Sequence, residues 1–184
     1  MKTLKTIQVF AKIGQVISTV VYIVSIVAFC LCDLGILLLP LGGGEVFKLG
    51  GVTVHALLDL GDAAGLNAVY STLIGGGIII GGHVVVARFA KKYFTNELAA
   101  GTPFTFDGAR ELLRLGILDL SVNFGCYVLA SIVLGIISAF ADGSFSVSDS
   151  LIGGDISVAR GLTLIFLSLL CKLGAESVTP TEGD

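Results

Sequence analysis

Charge is what this sequence lacks most. Asp, Glu, Lys and Arg make up 14% of its 184 residues, against about a quarter in an ordinary soluble domain. Tryptophan is absent, proline occurs three times and histidine twice. So little charge excludes an intrinsically disordered chain, which is rich in charge and poor in apolar residues. No run of Lys and Arg is long enough for a nucleic-acid footprint, so no direct nucleic-acid binding is expected. Cys30, Cys32, Cys126 and Cys171 have no second Cys pair and no nearby His, so zinc-type spacing fails. They read as small apolar residues, and no metal or organic cofactor is expected. H-E-x-x-H, G-x-S-x-G and the phosphate-binding G-x-x-x-x-G-K-[ST] are all missing. No catalytic residue is therefore assigned, and a non-enzymatic protein is expected. Gly75-x-Gly77 and the glycines after it lie inside an apolar run rather than after a strand, so they are not a dinucleotide loop.

What is present is apolar side chains, 54% of the chain, with 25 glycines and a mean hydropathy of +0.97. A chain this short and this apolar has too little polar surface to cover a water-soluble globule. Four apolar runs stand out, at about 14–41, 66–90, 115–141 and 156–175. Each suffices for one crossing, since roughly 20 helical residues span the hydrocarbon core. Backbone groups in hydrocarbon must bond within the segment, so the runs are expected to be helices. None alternates as the strands of a membrane barrel do. The fold read from sequence is an all-α integral membrane protein. It is an antiparallel four-transmembrane-helix bundle forming a single membrane domain in the lipid bilayer, with a small extracellular β-element.

Nine of the 11 basic residues fall at the N-terminal segment, the 91–114 loop with its border, or the C-terminal end. Only Lys48 and Arg160 fall on the other side, with Glu45, Asp59, Asp62, Asp142, Asp149 and Asp155. Cytoplasmic loops concentrate Lys and Arg, so the expectation is a multi-pass cell-membrane protein with both termini and the middle loop cytoplasmic. Loops 42–65 and 142–155 then lie outside. A basic start, an apolar run and Gly42–Gly44 also describe a cleavable signal peptide, although the run is longer than a usual signal core. Retention of span one is the expectation; its removal would leave three spans.

Within the first outer loop, Glu45–His55 reads as a hairpin turning at Gly50 and Gly51. Phe47, Leu49, Val52 and Val54 then share one face. In the second outer loop, Phe145 and Val147 alternate with serines, and Ile156 and Val158 alternate with Asp155 and Ser157. Strands from there would reinforce a hairpin that is marginal alone. A flexible glycine-rich loop is the other reading. In the middle loop, Gly101 suits the position just past a helix end and Pro103 prevents simple continuation. Thr105 or Asp107 can cap the next helix. Span two is thus expected to run on to Ala99 or Ala100, and a capped helix to start near Phe106.

Asn96-Glu-Leu-x-x-Gly-x-Pro-Phe-Thr105, followed by Arg110-x-Leu-Leu-Arg-Leu-Gly116, resembles the bacterial membrane family known as domain of unknown function 2975. Leu169-Leu-Cys-Lys-Leu-Gly-Ala-Glu176 is similar to that family's closing segment. Where the family usually has Asn three residues after the Thr, this chain has Gly108. The resemblance implies a four-helix protein of the bacterial inner membrane, often encoded beside a small helix-turn-helix regulator. It brings no catalytic or binding residue with it.

Ionisable groups at membrane depth default to a functional hypothesis. Here they are His83, Asp119 and Lys172, with the polar Asn123, and Asp33 nearer the outside. His83 and Asp119 have comparable depths, so they are expected to pair on adjacent helices, with Lys172 free to join them. One reading is a proton- or ligand-sensing cluster, since His titrates near physiological pH. The other is a structural clasp with Lys172 snorkelling to the interface. Gly77 and Gly81 allow close helix approach, either inside the bundle or as a homo-oligomer seam. Pro103, Phe104, Thr105 and Phe106 form the expected cytoplasmic contact loop. The functional expectation is an accessory or sensory membrane protein acting through a membrane or cytoplasmic regulatory protein partner. The alternative is a small transporter or transporter subunit, for export or for immunity to membrane-active peptides.

Overall fold

The computed structural model describes residues 2–42, 66–101, 104–140, 145 and 154–178. They form four helices, α1 (Lys2–Gly42), α2 (Leu66–Ala100), α3 (Phe106–Phe140) and α4 (Gly154–Val178). All four are long and apolar enough to cross a membrane. At 1.5 Å per residue the 41 residues of α1 make a rod of about 60 Å, and the 35 of α2 and of α3 about 52 Å each. The hydrocarbon core is only about 30 Å thick, so these three helices are longer than one crossing requires.

The junction of α2 and α3 follows its local chemistry. Gly101 takes φ +76°, and its N–H donates to the Glu97 carbonyl at 3.0 Å. That left-handed stop needs no Cβ and satisfies a carbonyl the ending helix leaves free. Thr105 then caps α3, its Oγ1 accepting from Gly108 N–H at 2.9 Å, while Ala109 N–H donates to the Thr105 carbonyl at 3.0 Å. Glycine at position 108 leaves this cap intact, because the donor is the backbone.

Among the described residues there is no strand. The expected hairpin over 45–55, and the strand around Val147, lie outside them. Asp155–Val158 is helical: α4 already begins at Gly154. A four-residue alternation is too short to outvote the apolar helical run that follows it.

The chain divides into two compact units. The first comprises residues 1–23, 83–122 and 154–184, and the second 24–82 and 123–153. In the first, α1 and α2 are antiparallel. Gln8 Nε2 donates to the Gly101 carbonyl at 3.5 Å, and Gln15 Nε2 to Thr95 Oγ1 at 3.0 Å. Lys91 Nζ lies 5.9 Å from the Tyr22 ring centre. Buried Tyr93, Leu112 and Leu115 form the core, with Val86, Phe94 and Leu164 against it. In the second unit α1 and α2 are again antiparallel, Phe29 lying beside Gly81, Cys32 beside Gly77 and Gly35 beside Leu73. Cys32, Val69 and Leu73 are its buried core, flanked by Ile36, Tyr70 and Ile80.

Hydroxyls inside these helices turn back on their own backbone: Ser18 donates to the Gly14 carbonyl at 2.7 Å and Thr72 to the Ala68 carbonyl at 2.9 Å. Such bonds let a helix carry Ser and Thr through an apolar setting. Large apolar side chains are exposed along every helix, among them Phe10, Val24, Phe124, Phe140 and Phe166. A soluble monomer rarely exposes so much apolar surface, whereas a lipid-facing helix is expected to.

Candidate functional site

The first unit carries the strongest polar contact of the described chain. Asp119 on α3 is wholly buried, and both its oxygens accept from Arg160 on α4. Arg160 Nε reaches Oδ2 at 2.9 Å and Nη2 reaches Oδ1 at 2.6 Å. This is the two-pronged geometry that makes Arg the cation of choice for a carboxylate. A carboxylate at 0% exposure is very costly alone, so Arg160 is what allows it there.

Small residues hold the two helices at the distance the pair requires. A methyl group at Gly116 would stand 3.0 Å from the Gly161 carbonyl oxygen and 2.8 Å from Ile165 Cγ1. One at Gly161 would stand 2.6 Å from Leu120 Cγ. Further along, the Phe104 ring lies directly on Gly174. Together with the ion pair, these contacts set α4 antiparallel beside residues 104–120.

A cavity of about 320 Å³ opens beside the pair. Asp119, Arg160, His83 and Ser18 are its polar lining, the Ser18 hydroxyl donating to the Gly14 carbonyl, and its other walls are apolar, including Val86, Ala90, Phe94, Leu112 and Leu164. A mostly apolar hollow with a few placed polar groups is the usual form of a small-molecule site. Next to it α2 and α3 carry a second polar contact: Asn96 Nδ2 donates to both Glu111 oxygens at 2.9 Å. Glu97 is 7% exposed on the same stretch of α2, and among the described ion pairs none involves it. Among the described residues no group of three or more His, Cys, Asp or Glu is arranged to hold a metal.

Two of the residues expected to cluster are brought to one place, His83 and Asp119, which line the same cavity. Asn123, half-buried, belongs to the second unit. Lys172 does not line that cavity. It is exposed, 3.9 Å from Glu176 one turn away, and twelve residues along α4 from Arg160. The partner of Asp119 is Arg160, a residue that the charge count had set on the outer side. Matching opposite charges among the few ionisable residues of the apolar runs would have proposed this pair, since such groups pair with one another. A hydropathy window cannot, because it weighs each span alone. The pairing puts Arg160 and Asp119 at one level, although separate readings of their spans set them near opposite ends.

Of the glycines singled out in α2, Gly77 faces Cys32 and Gly81 faces Phe29 on α1. The close approach of Gly116 to Gly161 was not foreseen, because neither glycine has a second glycine four residues away. In the expected contact loop, Phe104 and Phe106 are exposed, Thr105 caps α3 and Pro103 lies outside the described residues. No protein-family model, no curated protein and no solved structure matches the chain.

Proposed function

We propose that this chain is a multi-pass protein of the bacterial inner membrane with a sensory or accessory role. It is non-enzymatic and acts through a protein partner, with its termini and middle loop in the cytoplasm. The observation that carries the reading is the cavity beside the buried Asp119–Arg160 pair. Its polar lining is the paired Asp119 and Arg160 beside one imidazole and the Ser18 hydroxyl, and its other walls are apolar. Such a set suits binding and orienting a small molecule. Occupancy would alter how α2, α3 and α4 pack, and the junction at Phe104–Phe106 lies on the same helices, with both phenylalanines exposed to a partner. The resemblance to a membrane family encoded beside a helix-turn-helix regulator favours a regulatory partner.

Transport is the second reading, favoured by the presence of ionisable groups on a cavity in an apolar helical protein. Purification in a gentle neutral detergent, with mass spectrometry of what travels with the chain, separates the two. The sensory reading expects a stoichiometric protein partner that is lost when Phe104 and Phe106 are both changed to Ser. A clean homo-oligomer with no partner, carrying a solute across proteoliposomes, would replace it with transport.

A further inference from the structure

We infer that the cavity takes a neutral amphiphile, a single apolar chain of about ten heavy atoms ending in a carbonyl or amide group. The inference rests on reading the cavity as a binding site and adds the class of ligand. Size comes first. About 320 Å³ corresponds to roughly eleven water volumes, enough for one medium-length chain and too little to enclose both chains of a lipid. Shape and polarity come next. The walls offered by Val86, Ala90, Phe94 and Leu112 are apolar, the Ser18 hydroxyl is turned onto the Gly14 carbonyl, and the charged groups Asp119 and Arg160 stand together, so the ligand has an apolar body and one polar head.

Charge decides the head. Asp119 is completely buried and both its oxygens are engaged by Arg160, so a cationic head has no carboxylate to reach. Arg160 is about half exposed and spends two of its five N–H groups on Asp119. The remaining donors call for an acceptor. An anionic acceptor would bring a net negative charge next to a carboxylate whose compensating cation is already used. Taking such a charge out of water costs several kcal/mol. A neutral carbonyl accepts the same N–H groups without that cost, and each such hydrogen bond is worth about 1 kcal/mol net. Neutral acceptors are therefore selected over carboxylates by the pair itself.

The ester carbonyl of a bilayer lipid's acyl chain and a free medium-chain carbonyl compound share this chemistry. The test is thermal unfolding of the full chain in maltoside micelles, titrated with decanamide, decanoate or decyltrimethylammonium, because a ligand that binds only the folded state raises the midpoint. Decanamide is expected to bind at least about tenfold more tightly than the other two, the free-energy equivalent of about 1.4 kcal/mol. Two variants guard against partition into the micelle. Ala90→Leu fills the hollow while leaving the ion pair in place, and should abolish the decanamide shift. The double variant Asp119→Leu with Arg160→Met replaces the pair by apolar residues, which buried pairs often tolerate. It should keep the fold, read by circular dichroism, and lose the tenfold preference.

Repeating the titration in nanodiscs of diester and of diether phosphatidylcholine identifies the source. Weaker binding of decanamide in the ester lipid means that a lipid carbonyl already competes for the site; equal binding means a free ligand. Tighter binding of decanoate than decanamide would overturn the ligand class while leaving the cavity a site. No shift with any probe, or equal shifts in Ala90→Leu, would overturn the site as well.

Discussion

In the first unit a wholly buried carboxylate meets a guanidinium across α3 and α4, with an asparagine–glutamate contact, a buried Glu97 and a cavity nearby. The second unit closes around Cys32, Val69 and Leu73, with glycines against α1 and no charged side chain in that cluster. Both are built from the same helices α1, α2 and α3, and both use small residues to bring helices close. The difference shows what each chemistry specifies. Apolar contact between helices that lipid solvates equally well fixes distance more than register. A two-pronged ion pair fixes register, depth and partner at once, because a one-turn slip strands the buried charge.

The comparison breaks most readily at the pair. Arg160→Leu leaves Asp119 buried without its cation, and should cost about 3–5 kcal/mol in a denaturant unfolding series. A loss below about 1 kcal/mol would mean that Asp119 is not held as described. Next comes the helix crossing. Gly116→Val puts methyl groups into Ile165 and the Gly161 carbonyl, and overpacking of that kind costs typically 1–3 kcal/mol. Gly77→Ala in the second unit meets only Cys32 Cβ at 3.6 Å, an ordinary contact, and should be neutral or gain up to about 1 kcal/mol of helix propensity. Opposite signs in the two units are the expected result of comparing their unfolding midpoints; equal losses would erase the distinction.

Smaller effects sharpen it. Thr105→Ala removes the cap on Gly108 N–H and should lower stability by about 1 kcal/mol, where Thr105→Ser should not. Ser71, buried in the second unit, has a hydroxyl without a hydrogen-bond partner among the described residues. Ser71→Ala is therefore expected to be neutral or slightly stabilising, since it relieves an unsatisfied polar group of part of a cost of about 1–3 kcal/mol.

The parts of this molecule governed by local or one-dimensional rules were legible in the sequence. Gly101, Thr105 and the apolar runs place the helices, including the stop at Ala100 and the start at Phe106. His83 and Asp119, expected as neighbours, line one cavity. What escaped was pairwise and distant. Arg160 is 41 residues from Asp119, and its place was judged by loop charge, which says nothing of a cation neutralised by a carboxylate. Lys172 was read as free to join His83 and Asp119 or to snorkel to the interface, and near the end of α4 it lies within one turn of Glu176. The Gly116–Gly161 approach shows the same blindness, since a single glycine facing a single glycine on another helix leaves no periodic trace.

The account stands on the Asp119–Arg160 pair as the contact that sets the first unit, and a double-mutant cycle measures it most directly. Unfolding free energies of the wild type, Asp119→Asn, Arg160→Gln and the double variant, taken in the same neutral micelle, give the coupling. The account predicts that the double variant loses less than the sum of the single losses, with a coupling of about 1–3 kcal/mol. Additive losses, with coupling near zero, would contradict it.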